Sequence, residues 1–103
     1  MVEHIVLFKT TAAATDDQRE RAMAELKLLQ GKIPGILDLS VGRNFSTRNQ
    51  GYDIGLVVRF VDRAALEVYL PHPAHRGCVD EFITPIKEDV IVVDYEIEGQ
   101  GSE

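Results

Sequence analysis

Cysteine, tryptophan and long hydrophobic runs are scarce or absent in this sequence. It has one cysteine and no tryptophan among 103 residues, and a single cysteine cannot close an internal disulfide, which suits a reducing compartment. Its apolar runs span only a few residues, far fewer than the roughly 20 of a membrane-spanning helix. Glu3, His4 and Lys9 interrupt the first apolar stretch, so no signal peptide is indicated. We expect a cytoplasmic chain, intact from Met1, with no membrane partner.

Basic residues are also in short supply. The chain has 11 Lys and Arg against 17 Asp and Glu, a formal net charge of −6. Phosphate backbones and anionic lipids are bound by clustered Lys and Arg, so we expect no nucleic acid partner. The content of 45% hydrophobic and 27% charged residues is ordinary for a globular chain of one-domain size. We expect one domain at 1–97 and a flexible C-terminal tail at 98–103.

The hydrophobic pattern predicts an alternation of strands and helices. Thr15 and Gln18 have the spacing of a capping box, and Asp62 precedes a second helical pattern. Pro71 and Pro73 forbid continuation of that second helix. The predicted elements are a strand at 2–10, a helix at 16–32, strands at 36–45 and 53–61, a short helix ending at Tyr69, a helical segment at 75–83 and a strand at 89–97.

The order β-α-β-β-α-β indicates a ferredoxin-like α+β fold. In this fold a four-stranded antiparallel sheet carries both helices on one face. The strand at 36–45 alternates strictly, which predicts that Leu37, Leu39 and Val41 point inward and that Asp38 and Ser40 point outward. The two strands at 36–45 and 53–61 are expected to form a hairpin.

The first and last predicted strands carry apolar residues on both faces of the sheet. In the first strand, Val6 and Phe8 occupy one face while Ile5 and Leu7 occupy the other. Helices on one side leave the second apolar face bare, so something must bury it. The simplest solution is a homodimer in which two sheets pack into one α+β barrel about a twofold axis. The alternative is a monomer covered by its own loop at 43–52 and its tail.

Five segments of the chain carry a family resemblance. They are MVEHIVLFK, IPGILDLSVGRNFS, GYDIGLVVRF, LEVYLPHPAH and PIKEDVIVVDYE. Together they resemble the stress-responsive α/β-barrel (Dabb) family, a branch of the dimeric α+β barrel superfamily. The resemblance implies a homodimeric barrel whose interior cleft, between sheet and helices, admits a small organic molecule. Many members have no established activity, and some plant members are associated with stress.

A few members of that family are polyketide cyclases. In them the Tyr and the second His of a Y-x-x-H-P-x-H segment act together on a linear β-polyketone. The resemblance therefore implies that Tyr69 and His75, within YLPHPAH, are the catalytic candidates. It also matches His4 to a histidine that lines the pocket. His72 precedes Pro73, which predicts an extended bend residue, and we count it with His4 as a substrate-binding candidate.

Tyrosine and histidine suit the chemistry that the resemblance implies. A neutral imidazole with a pKa of about 6.5 can remove an acidic C–H proton, and a phenol of about 10 can hold the developing enolate oxygen. The alternative is structural, with His75 bonded to nearby backbone and Tyr69 a core aromatic with a satisfied hydroxyl. Enzymatic members have a further pocket histidine just after the GY of the third strand, where GYDIG offers Asp53 and Ile54.

Metal, thiol and nucleotide chemistry fit the pattern less well. His72 and His75 lack the ligand spacing of a zinc site, so no metal is predicted, and a cation held by carbonyls around 33–39 is left open. Cys78 beside His75 could act as a nucleophile, but most buried free cysteines are small hydrophobes. The glycines are too scattered for a phosphate cradle, and we expect no cofactor.

The sequence thus predicts a homodimer that binds a small hydrophobic or polyketide-like molecule in an interior cleft. Three functions stay open. The first is a cofactor-independent cyclase or isomerase that uses a Tyr–His pair. The second is a non-catalytic, stress-associated binding module, and the third is an assembly subunit without a cleft.

Overall fold

Four strands and three helices make up the part of the chain that the computed structural model describes, residues 1–97. The predicted tail at 98–103 lies outside these described residues. The strands are β1 (Val2–Thr10), β2 (Ile36–Arg43), β3 (Ile54–Phe60) and β4 (Lys87–Glu96), and the helices are α1 (Asp16–Lys27), α2 (Arg63–Tyr69) and α3 (Pro73–Cys78). A 3-10 turn, Leu28–Gly31, follows α1, and a π-helical turn, Val79–Ile83, follows α3.

The sheet has the strand order β2-β3-β1-β4, and every neighbouring pair is antiparallel. This confirms the predicted α+β, ferredoxin-like fold and the β2–β3 hairpin. Burial alternates residue by residue along β1 and β3 because one face of each strand packs beneath the helices. The core between this face and the helices is built from Val2, Val6, Phe8, Ala22, Met23, Leu26, Leu29, Ile54, Leu56, Val58, Phe60, Leu66 and Tyr69, among others.

Local signals set the helix starts. Thr15 and Gln18 form the predicted capping box, each side chain accepting from the backbone N–H of the other. The Asp62 carboxylate accepts from the N–H of Ala65 at 2.9 Å and so begins α2, as predicted. α1 ends earlier than the predicted 32, because its last turn tightens into the 3-10 geometry common at helix ends. No helix within residues 1–97 has the length and apolar character needed to cross a membrane.

The helical segment predicted at 75–83 begins two residues earlier, at Pro73. The first turn of a helix tolerates proline, since the N–H that proline lacks has no partner there. Nδ1 of His72 accepts from the N–H of Ala74 at 3.0 Å and caps α3. The Pro71–Pro73 bend therefore both ends α2 and starts α3.

One inward position predicted in β2 is wrong. The register of β2 against β3 shifts between Ile36 and Asp38, as at a β-bulge. Leu37 is consequently 46% exposed, whereas Leu39 and Val41 pack against the core as predicted. Strict alternation fails at a register shift because the extra residue of the bulge turns the side chains before it to the opposite face of the sheet.

The face of the sheet away from the helices is only partly covered. Ile5 of β1 lies opposite Val93 of β4, and Leu7 lies opposite Ile91, so these four apolar residues share that face. The β4 side chains on it remain largely exposed: Ile91 at 43%, Val93 at 49% and Tyr95 at 50%.

The loop at 43–52 reaches only one end of this second face. The Tyr52 hydroxyl donates to the Asp89 carboxylate at 2.6 Å, and the Lys9 ammonium lies 4.9 Å from the centre of the Tyr52 ring. The apolar residues of β4 beyond Asp89 are not covered by this contact, since Ile91 and Val93 stay exposed. In the monomer alternative this loop covers the second face, but in the structure it covers only one end of that face.

Candidate functional site

A cavity of about 170 Å³ lies between the sheet and the α2–α3 segment. Its walls are mostly apolar side chains from β1, β3, β4, α1 and the π-helical turn. The polar or titratable residues in its lining are His4, Tyr69, His75 and Lys87. Three of the four residues predicted as a site from the sequence thus line one cavity.

Tyr69 is the last residue of α2, and its side chain is wholly buried. Its ring packs edge-on against Phe60 with ring centres 5.0 Å apart. The hydroxyl oxygen has no hydrogen-bond partner among the residues that the structure describes. Burial raises the pKa of Tyr69 well above its usual value, so the hydroxyl stays protonated at neutral pH. It is a buried hydrogen-bond donor that has no acceptor within residues 1–97.

His75, near the start of α3, lies against Tyr69 with ring centres 4.4 Å apart. Its Nδ1 is 2.9 Å from the carbonyl oxygen of Leu70. Because a carbonyl can only accept, Nδ1 carries the proton and Nε2 keeps its lone pair. Burial lowers the pKa of His75 below its usual value, so the ring is neutral at pH 7. The structural alternative predicts a hydrogen bond from His75 to nearby backbone, and the bond from Nδ1 to the Leu70 carbonyl is that bond. It leaves Nε2 of His75 able to accept a proton.

His4, in the middle of β1, is the third ring at this end of the cavity. Its centre lies 5.8 Å from that of Tyr69 in an edge-on arrangement. Its Nδ1 donates to the Asp94 carboxylate at 2.5 Å, which directs the lone pair to Nε2 when the ring is neutral. His4 is therefore both a hydrogen-bonded core residue and a lining residue of the cavity.

Sequence reasoning missed Asp94. This carboxylate lies directly opposite His4 in the β1–β4 pairing and holds its imidazole. The sequence contains a signal for it, because Asp94 has the same strand parity as Val90 and Val92, which line the cavity. An acidic residue at a core-facing strand position requires a partner.

The structure does not bring His72 and Cys78 into the lining of this cavity. His72 caps α3, and its substrate-binding role stays a prediction. Cys78 is buried outside the cavity, and burial raises the pKa of its thiol to about 11, which disfavours the reactive thiolate. Within residues 1–97 no cluster of three His, Cys, Asp or Glu is placed to hold a metal.

The position after the GY of β3 contributes no polar group to the cavity. The Asp53 carboxylate accepts from the backbone N–H of Thr10 at 2.9 Å and from Arg19 Nε at 3.1 Å. The Asp53 side chain therefore links the end of β1 to α1. Ile54 is buried in the core. The polar groups of the cavity are consequently concentrated at the His4 end.

The carbonyls around 33–39 are the candidate ligands of the cation site that the sequence leaves open. In the structure the Gly35 carbonyl accepts from the N–H of Val61 at 3.1 Å, and the Leu37 carbonyl accepts from Gln30 Nε2 at 3.3 Å. Two of the candidate ligands therefore already have protein donors, and the segment carries no further argument for a cation.

The family model of the stress-responsive A/B barrel domain matches residues 2–97. The chain belongs to this family. A protein of Streptomyces coelicolor without an assigned function is 34% identical to it over 101 residues, which are 93% of this chain and 99% of the relative.

A related enzyme and a solved structure are also similar to this chain. Olivetolic acid cyclase of Cannabis sativa is 27% identical over 96 residues, 91% of this chain and 94% of the cyclase. A crystal structure from Thermobifida fusca, described as a dimeric ferredoxin-like protein of unknown function, has a TM-score of 0.83 and 26% identity. The match covers 93% of this chain and 90% of the Thermobifida chain.

Proposed function

We propose that this protein is a cytoplasmic homodimer that catalyses cofactor-independent proton transfer on a small hydrophobic carbonyl compound, as a cyclase or isomerase does. The observation that carries the proposal is the Tyr69 hydroxyl, a protonated donor buried without a partner beside a neutral His75. An unpaired buried donor costs about 1–3 kcal/mol. A ligand oxygen that enters the cavity would supply the missing acceptor.

Each ring then has a distinct role. Nε2 of His75 takes a proton from the carbon next to the substrate carbonyl, and the Tyr69 hydroxyl donates to the carbonyl oxygen as its negative charge develops. Return of the proton to another atom completes an isomerisation. In a cyclisation the carbanion instead attacks a second carbonyl, and the alkoxide that forms takes the proton back from His75 Nε2. His4, oriented by Asp94, presents the Nε2 lone pair, which can accept a hydrogen bond from a substrate hydroxyl. The likeness to a cyclase at 27% identity supports this chemistry.

The cavity favours a small substrate. An engineered protein cavity of about 150 Å³ binds benzene, and typical drug-sized ligands occupy roughly 300–1,000 Å³. At about 170 Å³ this cavity suits a single ring or a short chain better than a long linear polyketone. Tyr69 is fully buried in the free protein, so the rings must move slightly when substrate enters, as catalytic contacts often tighten on binding.

Solvent exchange tests this proposal. Purified protein is incubated with phenylacetone in D₂O, and deuterium at the carbon between ring and carbonyl is followed by NMR. We expect exchange above the buffer rate, with His75→Gln slowing it about 10²–10⁴-fold and Tyr69→Phe also slowing it. Tyr52→Phe is the matched control, because its hydroxyl bonds to Asp89 away from the cavity. Binding of ketone without exchange would instead support the non-catalytic binding module.

The homodimer is supported by the second face of the sheet. Ile91, Val93 and Tyr95 form an exposed apolar row there, and a second copy of the same face buries such a row symmetrically. The dimeric description of the Thermobifida structure agrees with this.

A pair of matched variants tests the dimer. Val93 lies on the open face at 49% exposure, and Val68 lies on α2 at 52% exposure. We expect Val93→Asp to shift sedimentation from dimer to monomer and Val68→Asp to leave the dimer intact, because only the first places charge in the proposed interface. A wild-type chain that sediments as a monomer at micromolar concentration would contradict the dimer.

A further inference from the structure

We infer that Lys87 makes this cavity selective for a ligand with a carboxylate at the end remote from its reacting group. The inference rests on the proposed function in that it concerns the same cavity, and it names the class of substrate. That class is a small monocarboxylic acid with an apolar, ring-sized body.

Lys87 is the one Lys or Arg in the cavity lining. It is the first residue of β4 and lies opposite Thr10, whose side chain is buried on the helix side of the sheet. Lys87 therefore shares that side, and it also lines a small void of about 10 Å³ next to the main cavity. The residue is exposed overall, so the charged end can stay hydrated while the aliphatic stem follows the apolar wall.

The cation and the reacting rings lie toward opposite ends of the cavity. His4 lies opposite Asp94 in the β1–β4 pairing, whereas Lys87 lies opposite Thr10. At about 3.3 Å per residue these two positions are roughly 20 Å apart along the backbone of β1. The side chains at both ends line one cavity and so reach toward each other. A ligand that touches both ends is elongated, with a carbonyl at the rings and an anion at Lys87.

The charge of Lys87 is available to a ligand. It forms no ion pair with any residue of the described chain. Asp89 is the acidic residue two positions further along β4, and its carboxylate accepts from the Tyr52 hydroxyl at 2.6 Å and from the N–H of Val90 at 2.9 Å. The formal charge of the whole chain is −6, which opposes the binding of anions in general. Binding a carboxylate here therefore requires a local cation, and Lys87 is placed to supply it.

Two probes of the same shape test the inference. 3-Phenylpropanoate carries the carboxylate, and 3-phenylpropanamide replaces it with a neutral amide. Dissociation constants are measured for both from NMR chemical-shift changes of the wild-type protein at low salt. We expect the acid to bind about fivefold more tightly than the amide, as for a partly exposed ion pair. Raising the salt concentration should reduce that preference, because exposed charges are screened.

Lys87→Met removes the charge and keeps the length of the apolar stem. It should abolish the preference for the acid, so that acid and amide bind to the variant with similar dissociation constants. Lys27→Met makes the same charge change on α1 outside the cavity lining and should preserve the preference. Equal binding of acid and amide to the wild type, or an undiminished preference in Lys87→Met, overturns the role of Lys87 and leaves the proposed function standing. Failure of both probes to perturb cavity residues counts against the binding cavity itself and overturns both.

Discussion

Replacing Tyr69 with phenylalanine should stabilise the protein and slow its activity at the same time. The Tyr69 hydroxyl is buried with no hydrogen-bond partner among residues 1–97. A tyrosine kept for packing alone gains nothing from such a hydroxyl. A tyrosine kept for catalysis needs it, and the free protein bears the cost until substrate arrives. The Tyr69→Phe variant separates these two cases.

The size of the effect follows from the surroundings of the hydroxyl. Its desolvation without a partner costs about 1–3 kcal/mol. Removing the oxygen atom relieves this cost but leaves a void of roughly 10–15 Å³. At about 24 cal/mol per Å³, the void offsets only about 0.3 kcal/mol of the stabilisation. The ring contacts with Phe60 and His75 are retained. We therefore expect a net stabilisation of about 0.7–2.7 kcal/mol, and each 1 kcal/mol raises Tm by roughly 4–8 °C in a domain of this size.

Thermal unfolding at one fixed protein concentration measures the change, since the stability of a dimer depends on concentration. Tyr52→Phe provides the comparison, because it removes a hydroxyl that does have a partner, Asp89. That variant should be neutral or slightly destabilised. If Tyr69→Phe instead lowers Tm, the hydroxyl has an acceptor in the free protein, and the argument that it waits for a ligand is refuted.

Three further predictions concern pH, the Asp94 carboxylate and a tight turn. The rate of deuterium exchange into phenylacetone should rise with pH through a pKa below 6.5. Burial lowers the pKa of His75, and the reaction needs its neutral form. A pH–rate profile that falls over this range contradicts the base role. Asp94→Asn should cost about 1 kcal/mol in denaturant unfolding, since it weakens a charge-assisted bond to His4 at a partly exposed carboxylate; an unchanged midpoint would argue against the bond. Gly35→Ala should destabilise by about 1–3 kcal/mol, as φ is +90° and the new Cβ would lie 2.7 Å from a side-chain carbon, whereas Gly31→Ala, with open space, should have little effect.

Features encoded by neighbouring residues could be predicted from the sequence. The capping box of α1 and the cap of α2 each depend on two residues three positions apart, and both are found as expected. The two-sided pattern of β1 likewise placed Val6 and Phe8 on one face and Ile5 and Leu7 on the other, as the alternating burial of that strand shows. Leu37 differs because its exposure depends on a register shift between two strands. The sequence of β2 alone does not reveal where its register against β3 shifts.

The candidate site could be predicted only where its residues lie in one recognisable segment, and its function stays a prediction. Tyr69 and His75 were identified through YLPHPAH, and the Pro71–Pro73 bend does bring their rings into contact. Asp94 was missed because its role depends on pairing with His4, which is 90 residues away in the chain. The missing partner of the Tyr69 hydroxyl could not be predicted either, since an unsatisfied group is a property of all its neighbours in space.

The neutral state of the site decides which chemistry it favours. At neutral pH both Tyr69 and His75 are uncharged, because burial raises the pKa of the first and lowers that of the second. In the proposed proton transfer, charge would develop only as His75 becomes a cation and the substrate oxygen an anion a short distance away. In an apolar cavity that pair attracts far more strongly than in water. If the proposal holds, the arrangement favours carbon-acid chemistry, and simple esters of the same size should not be hydrolysed.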